Sequence, residues 1–118
     1  MIATPNPASS GCARFGRHWL HWDPPRHLRL YGRRSLVAQL ESAGFSPRRV
    51  FSSAASAHFA HAASWLIERD GVLPGIDVAA LPVRARAAGL GFWVREYLAA
   101  RRRDCGEEWV AIAEKPAP

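Results

Sequence analysis

The stretch from Gly16 to Phe45 most constrains what this chain can fold into, because a loop rich in aromatic residues, histidines and prolines leads directly into a helical pattern. Apolar residues recur on one face at the 3.6-residue period, at Leu36, Val37, Leu40 and Ala43. Gly44 then tolerates the left-handed backbone that ends a helix, and Phe45 takes the next position of a Schellman-type end. The pattern predicts an amphipathic helix over about 33–43.

The loop before this helix, residues 7–31, mixes side chains that are costly to leave in water with groups that do chemistry. Its large aromatic residues include Trp19, Trp22 and Tyr31. They surround three histidines and the carboxylate of Asp23, and the Pro24-Pro25 pair stiffens the backbone. This mixture suits a plain core poorly, so we interpret the loop as a wall of a site.

Several short motifs follow one another in a particular order. They are Thr4-Pro5-Asn6, Phe15-Gly16, Trp19, the run Asp-Pro-Pro-Arg-His-Leu at 23–28, Ser35-Leu36 and Ala43-Gly44-Phe45. In their order and spacing, over residues 2–54, the chain resembles the C-terminal half of the class I S-adenosylmethionine-dependent methyltransferases. More narrowly, it is similar to the group that includes the ubiquinone-type O-methyltransferases.

The resemblance implies an α/β fold in which residues 1–118 are the C-terminal part of a methyltransferase domain. The chain would supply strands five to seven of a partial Rossmann-like sheet, with three or so helices. The fifth strand would end at the turn containing Asn6, and the last strand, about 108–114, would insert antiparallel beside it. The sixth strand would span about 49–54, after the helix that ends at Gly44.

The resemblance also implies a site on the acceptor side of the reaction. The methyl donor would be S-adenosylmethionine, and His27 would act as general base toward a hydroxyl of a small-molecule acceptor, since neutral imidazole has a suitable pKa. The alternative is that His27 only bonds a backbone carbonyl to hold the loop. Residues expected to contact the substrate are Asn6, Trp19, Trp22, Asp23, Arg26 and Tyr31.

The sequence departs from the family pattern in two places. Gly32 stands where the family usually has a helix-capping serine, and glycine is a weaker N-cap. The glycine-rich turn and the acidic residue that form the family's donor site are not in this sequence. We therefore expect a truncated chain that is inactive alone, with an open sheet edge that leads to self-association or recruits a partner.

Two further helices are predicted, over about 55–69 and about 83–102, joined by an ordered loop over 72–81. The first has an apolar stripe at Phe59, Ala62, Ala63 and Leu66, and Asp70-Gly71 closes it. The second has apolar residues at Val83, Ala87, Leu90, Val94 and Tyr97, a stripe predicted to face the core. Gly89 and Gly91 each weaken it by about 1 kcal/mol relative to alanine.

Charge supports a rival interpretation, a small basic module that binds nucleic acid. The net charge is +6, and arginines alternate with aromatic residues in the first third of the chain. However, 15 of the 16 basic residues are arginine, a bias typical of a GC-rich genome, and no recognised binding motif is present. We therefore do not favour nucleic acid as a partner. A non-catalytic interaction protein is the third interpretation.

Metal binding is considered at two groups of histidines, and neither is assigned. One group is His18, His21 and His27 with Asp23; the other is His58 with His61. Spacings like those of the first group are common by chance. His58 and His61 have no acidic or cysteine partner nearby in the sequence, so we interpret them as two partly exposed histidines of a helix. Cys12 and Cys105 are far apart and no secretory signal accompanies them, which predicts reduced thiols and a cytoplasmic protein. No apolar run approaches the ~20 residues of a membrane span.

Overall fold

The computed structural model describes residues 1–23, 25–71 and 81–116. The strands are β1 (Ile2–Pro5), β2 (Ser46–Ser53) and β3 (Glu108–Glu114). The helices are α1 (Ser10–Phe15), α2 (Arg33–Ser42), α3 (Ala57–Asp70) and α4 (Val83–Arg103), and a short 3₁₀ turn spans Gly16–His18. Most of the predicted loop over 72–81, and Pro24 of the loop before α2, lie outside the described residues.

The three strands form one antiparallel sheet in the order β1-β3-β2, so this part of the chain is a small α/β domain. Ala111 of β3 lies opposite Ile2 of β1 on one side and opposite Val50 of β2 on the other. Because β3 is antiparallel to both neighbours, β1 and β2 run parallel to each other. The predicted antiparallel pairing of the last strand with the first is confirmed.

Helix α2 ends as its sequence predicts. Gly44 has a φ of +80°, and the N–H of Phe45 donates to the carbonyl of Leu40 at 2.9 Å. The N–H of Gly44 donates to the carbonyl of Glu41, also at 2.9 Å, which completes a Schellman motif. Leu36 and Leu40 pack against Trp109 and Ala111 of β3 in the first core cluster, so the apolar face of α2 covers one face of the sheet.

Helices α3 and α4 pack against each other through small residues. The second core cluster contains Ala62 and Leu66 of α3 with Leu81 and Ala85. A Cβ on Gly89 would stand 2.5 Å from the carbonyl oxygen of His58, so the two helix backbones approach as closely as glycine permits. The predicted stripe of α3 is confirmed at Ala62, Ala63 and Leu66, which are buried, and Gly71 closes the helix with φ +75°.

The predicted core stripe of α4 is wrong. Its large members are 43–79% exposed: Val83, Leu90, Val94 and Tyr97. Over residues 83–99 of α4, the buried positions are instead Ala85, Gly89 and Glu96. The physical reason is contact distance, since a face of alanine and glycine lets α4 approach α3 more closely than a face of valine and leucine would.

Two element boundaries also differ from prediction. Residues 7–18, predicted as loop, contain α1 and the 3₁₀ turn, because the hydroxyl of Ser9 accepts from the N–H of Cys12 at 2.9 Å and caps a short helix. Strand β2 begins at Ser46 rather than at about 49, with a register irregularity between Pro47 and Arg49. Within the described ranges, no helix has the length and apolar character needed to cross a membrane.

Candidate functional site

Three buried ionisable side chains meet between α3, α4 and the turn before β3. His61, Glu96 and Glu107, here termed the His-Glu-Glu cluster, are each at most 2% exposed. Nε2 of His61 lies 2.7 Å from Oε2 of Glu96 and 3.2 Å from Oε2 of Glu107. One imidazole therefore bridges two carboxylates that the chain brings together from three separate elements.

Residues of the first third of the chain hold the two carboxylates in place. The indole N–H of Trp19 donates to Oε1 of Glu107, and the hydroxyl of Ser10 donates to Oε2 of Glu96 at 2.7 Å. Gly11 lies against Glu107, where an added Cβ would stand 2.8 Å from Oε1 and still closer to Oε2. The N-terminal segment is thus part of the cluster's support.

The carboxylates determine the protonation state of His61. Burial by itself would lower the pKa of His61, but hydrogen bonds to Glu107 and Glu96, with their negative charges, raise it to about 9. At neutral pH the imidazolium neutralises one of the two carboxylates. Within the cluster, two carboxyl groups face a single imidazole.

A neighbouring histidine behaves in the opposite way. Nε2 of His21 lies 3.7 Å from Oε1 of Glu107. Burial lowers the pKa of His21, and the charge of Glu107 only partly opposes that effect. His21 is therefore the neutral imidazole beside the cluster, while His61 is the charged one.

A cavity of about 530 Å³ opens beside the cluster, between α1 and α4. His61, Glu96, Ser10, Phe92 and Cys105 are among its lining residues. Oε1 of Glu96 and Nδ1 of His61 are buried and have no hydrogen-bond partner in the described part of the chain. The cavity gives the cluster room for a ligand.

The aromatic loop residues form a series of edge-to-face ring contacts. Trp19 packs on Trp22 with ring centroids 5.6 Å apart and on His21 at 4.9 Å, and His21 packs on His27 at 5.6 Å. Trp19 is 1% exposed and Trp22 is 52% exposed. The structure therefore brings Trp22, Trp19, His21 and His27 together, with the cluster's Glu107 on the buried side.

The other predicted site residues lie elsewhere. Asn6 is buried, and its Nδ2 donates to the carbonyl of Gly106 at 2.8 Å, which ties the end of β1 to the turn that carries Glu107. Asp23 pairs with Arg26 at 2.7 Å. Tyr31 packs against the core cluster of α2 and β3. Their assignment to a substrate stays a prediction.

The histidine pair considered for a metal divides between two environments. Nε2 of His58 lies 3.2 Å from the carbonyl oxygen of Arg86, outside the cluster. The prediction of a partly exposed histidine without an acidic partner is wrong for His61, which is 2% exposed and faces two glutamates. The partners of His61 were missed because Glu96 and Glu107 each look like ordinary surface residues in the sequence. The one available signal is that Glu96 lies on an otherwise basic and apolar helix.

His61, Glu96 and Glu107 are the group, among the described residues, whose ligand atoms are close enough to hold a metal ion. Neither Cys12 nor Cys105 is in a disulfide.

Comparison of the chain with protein-family models, with curated proteins and with solved structures finds no match.

Proposed function

We propose that this chain is the acceptor-side, C-terminal portion of a class I S-adenosylmethionine-dependent methyltransferase. The observation that carries the proposal is the sheet order β1-β3-β2, with the last strand antiparallel between two strands that run parallel to each other. The resemblance implies that the last strand lies antiparallel beside the fifth strand, and β3 pairs in this way with β1.

The loop between the 3₁₀ turn and α2 would then face the methyl acceptor. His27 packs on His21, and its Nδ1 is buried, so Nε2 of His27 would be the atom that takes the proton. A general base at this point would take the proton of the acceptor hydroxyl as the methyl group is transferred. Trp22, which is exposed, would supply an apolar surface for a small molecule.

The donor would be bound by residues that this sequence does not contain. A glycine-rich turn after one strand and an acidic residue after another hold the nucleoside in folds of this kind. The 118-residue chain alone is therefore expected to bind no S-adenosylmethionine and to transfer no methyl group.

The test uses the native protein, recovered from its own cells with an antibody against the chain. Intact mass, the sequences of bound polypeptides and photocrosslinking to radiolabelled S-adenosylmethionine are measured. We expect a glycine-rich turn in the same polypeptide or in a firmly bound partner, and label on that species. A 13.0 kDa protein recovered alone and unlabelled would overturn the proposal.

The role of His27 is tested in the same native species by methyl transfer to a small-molecule extract of those cells. His27→Ala should lower the transfer rate about 10²–10⁴-fold while leaving the donor crosslink unchanged. His18→Ala is the matched control in the same loop, since Nε2 of His18 accepts a hydrogen bond from the exposed side chain of Arg17. Equal methyl-transfer rates in the two variants would show that His27 only holds the loop in place.

A further inference from the structure

The ligand atoms of the His-Glu-Glu cluster converge on one point. Nε2 of His61 and one oxygen from each carboxylate all lie within 4.8 Å of one another. Two ligands on one tetrahedral zinc ion, with bonds of about 2.0–2.2 Å, are roughly 3.3 Å apart. The distance of 3.2 Å from Nε2 to Glu107 is close to that spacing. The distance of 2.7 Å from Nε2 to Glu96 is that of a hydrogen bond and would lengthen by about 0.6 Å when an ion replaced the proton.

The charge of the cluster also favours a cation. No arginine or lysine side chain that the structure describes forms an ion pair with Glu96 or Glu107; Arg14, which lines the cavity, pairs instead with Glu68 at 3.0 Å. Buried charges are costly unless they are balanced. A divalent cation with two carboxylates and a neutral imidazole has a net charge of zero.

One carboxylate oxygen of the cluster, Oε1 of Glu96, is available to bind an ion. Glu96 is 1% exposed, lines the cavity, and its Oε1 has no hydrogen-bond partner among the described residues. An unpaired buried carboxylate oxygen is unusual, because leaving such a group unsatisfied costs about 1–3 kcal/mol or more. A metal ion at the cavity wall would satisfy it.

Outer contacts orient the ligands, as they do in metal sites generally. Trp19 donates to Glu107, Ser10 donates to Glu96, and the rings of Phe15 and Phe92 lie 5.7 Å and 5.4 Å from that of His61. The histidine is thus fixed between two phenylalanines while each carboxylate receives a hydrogen bond. The ligand set is held before any ion enters.

We propose that His61, Glu96 and Glu107 bind one divalent transition-metal ion such as Zn²⁺, Mn²⁺ or Fe²⁺, with an open coordination position toward the cavity. An imidazole ligand suits these ions, whereas Mg²⁺ and Ca²⁺ take oxygen ligands. The absence of a thiolate from the ligand set disfavours Cu⁺. The three ligands lie outside the acceptor loop, and only Trp19 of that loop contacts one of them, Glu107, so this proposal does not rest on the methyltransferase proposal.

The experiment titrates the purified 118-residue chain, freed of metal with a chelator, with Zn²⁺ and with Mn²⁺ by calorimetry. We expect one equivalent to bind, and the affinity to fall at least about 10-fold in Glu96→Gln and in His61→Gln. His58→Gln is the matched control on the same helix, because His58 lies outside the cluster. Cys105→Ser controls for thiolate binding at the cavity wall.

Failure to bind either ion, or binding that Glu96→Gln and His61→Gln leave unchanged, would overturn the proposal. So would loss of binding in Cys105→Ser alone. Circular dichroism establishes whether each variant folds. If a cluster variant does not fold, Co²⁺ added to the unmodified chain decides: ligand-field absorption without a thiolate charge-transfer band supports the site, and absence of ligand-field absorption overturns it.

Discussion

The backbone of Gly11 lies directly against the carboxylate of Glu107. A Cβ at this position would stand 2.8 Å from Oε1 and closer still to Oε2, so α1 touches the cluster where only glycine fits. The carboxylate is the end of a flexible side chain, but the hydrogen bonds from Trp19 and His61 hold it in place. The position of the Glu107 carboxylate therefore depends on the absence of a side chain at Gly11.

We expect Gly11→Ala to lower the free energy of unfolding by about 1–3 kcal/mol, because the methyl group must displace Glu107 from its partners. Urea unfolding at neutral pH measures this change. The signature of displacement, as opposed to local helix strain, is a parallel fall in the pKa of His61 followed by NMR. Unfolding and titration like those of the unmodified chain would show that Glu107 moves without cost.

The two glycines of α4 should respond in opposite directions to the same substitution. A Cβ on Gly89 would stand 2.5 Å from the carbonyl oxygen of His58 and 2.8 Å from Cβ of Ala62, whereas nothing lies within 4 Å of a Cβ on Gly91. Gly89→Ala should separate α3 from α4 and cost about 1–3 kcal/mol. Gly91→Ala should stabilise the helix by up to about 1 kcal/mol.

Thermal unfolding of both variants measures these effects, and each variant is the control for the other because they share one helix. The two substitutions have the same helix propensity, so any difference in sign comes from packing. Stabilisation by Gly89→Ala would contradict the close approach of α3 and α4.

The stability of the metal-free protein should fall from about pH 6.5 to about pH 9. The pKa of His61 is raised from 6.5 to about 9 by Glu107 and Glu96, so the folded state holds its proton more tightly than the unfolded state. This contribution is fully present below pH 6.5 and is lost as the pH rises through 9. Its size is on the order of 3 kcal/mol, which corresponds to that change in pKa.

Urea unfolding across this pH range, with chelator present, measures the effect. The charged groups that face His61 are Glu96 of α4 and Glu107 before β3, and Arg14 and Arg95 line the same cavity. His61→Gln should flatten the pH profile, while His58→Gln should preserve it. A flat profile in the unmodified chain would mean that His61 is not charged in the folded protein.

Local chemistry explains which parts of the fold could be predicted from the sequence. The end of α2 follows from Gly44 and Phe45, since a positive φ and the Schellman hydrogen bonds involve only neighbouring residues. Strand β3 follows from the run Trp109–Ala113, and the end of α3 follows from Gly71. Each of these signals is contained in a few consecutive residues.

The packing face of α4 could not be predicted in this way. Hydrophobic periodicity favours large apolar residues for the core, but close helix packing selects small ones, and Ala85 and Gly89 are buried while Leu90 and Val94 are exposed. The His-Glu-Glu cluster was missed for a related reason, because its members come from three elements. Trp19 was predicted to be part of a site wall, and in the structure it supports Glu107.

The exposed apolar residues of α4 predict that the purified chain self-associates. Leu90 and Val94 are 51% and 47% exposed and lie on the same stripe as Val83 and Tyr97. A stripe of this kind on one long helix is typical of a surface that packs against another helix. Sedimentation velocity at several concentrations should therefore show an average mass that rises with concentration.

The sheet edge is a second route to association, and paired variants distinguish the two. Leu90→Glu with Val94→Glu places charges on the α4 stripe and should shift the chain toward monomer, because burying unpaired carboxylates is costly. Ile2→Lys on β1, which has β3 on one side only among the described strands, tests the edge. Gln39→Glu, on the exposed side of α2, controls for added charge. We expect the α4 variant to lower the average mass more than Ile2→Lys does, since the α4 stripe has more exposed apolar residues than the edge of β1 has. A monomer at every concentration in the unmodified chain would contradict both routes.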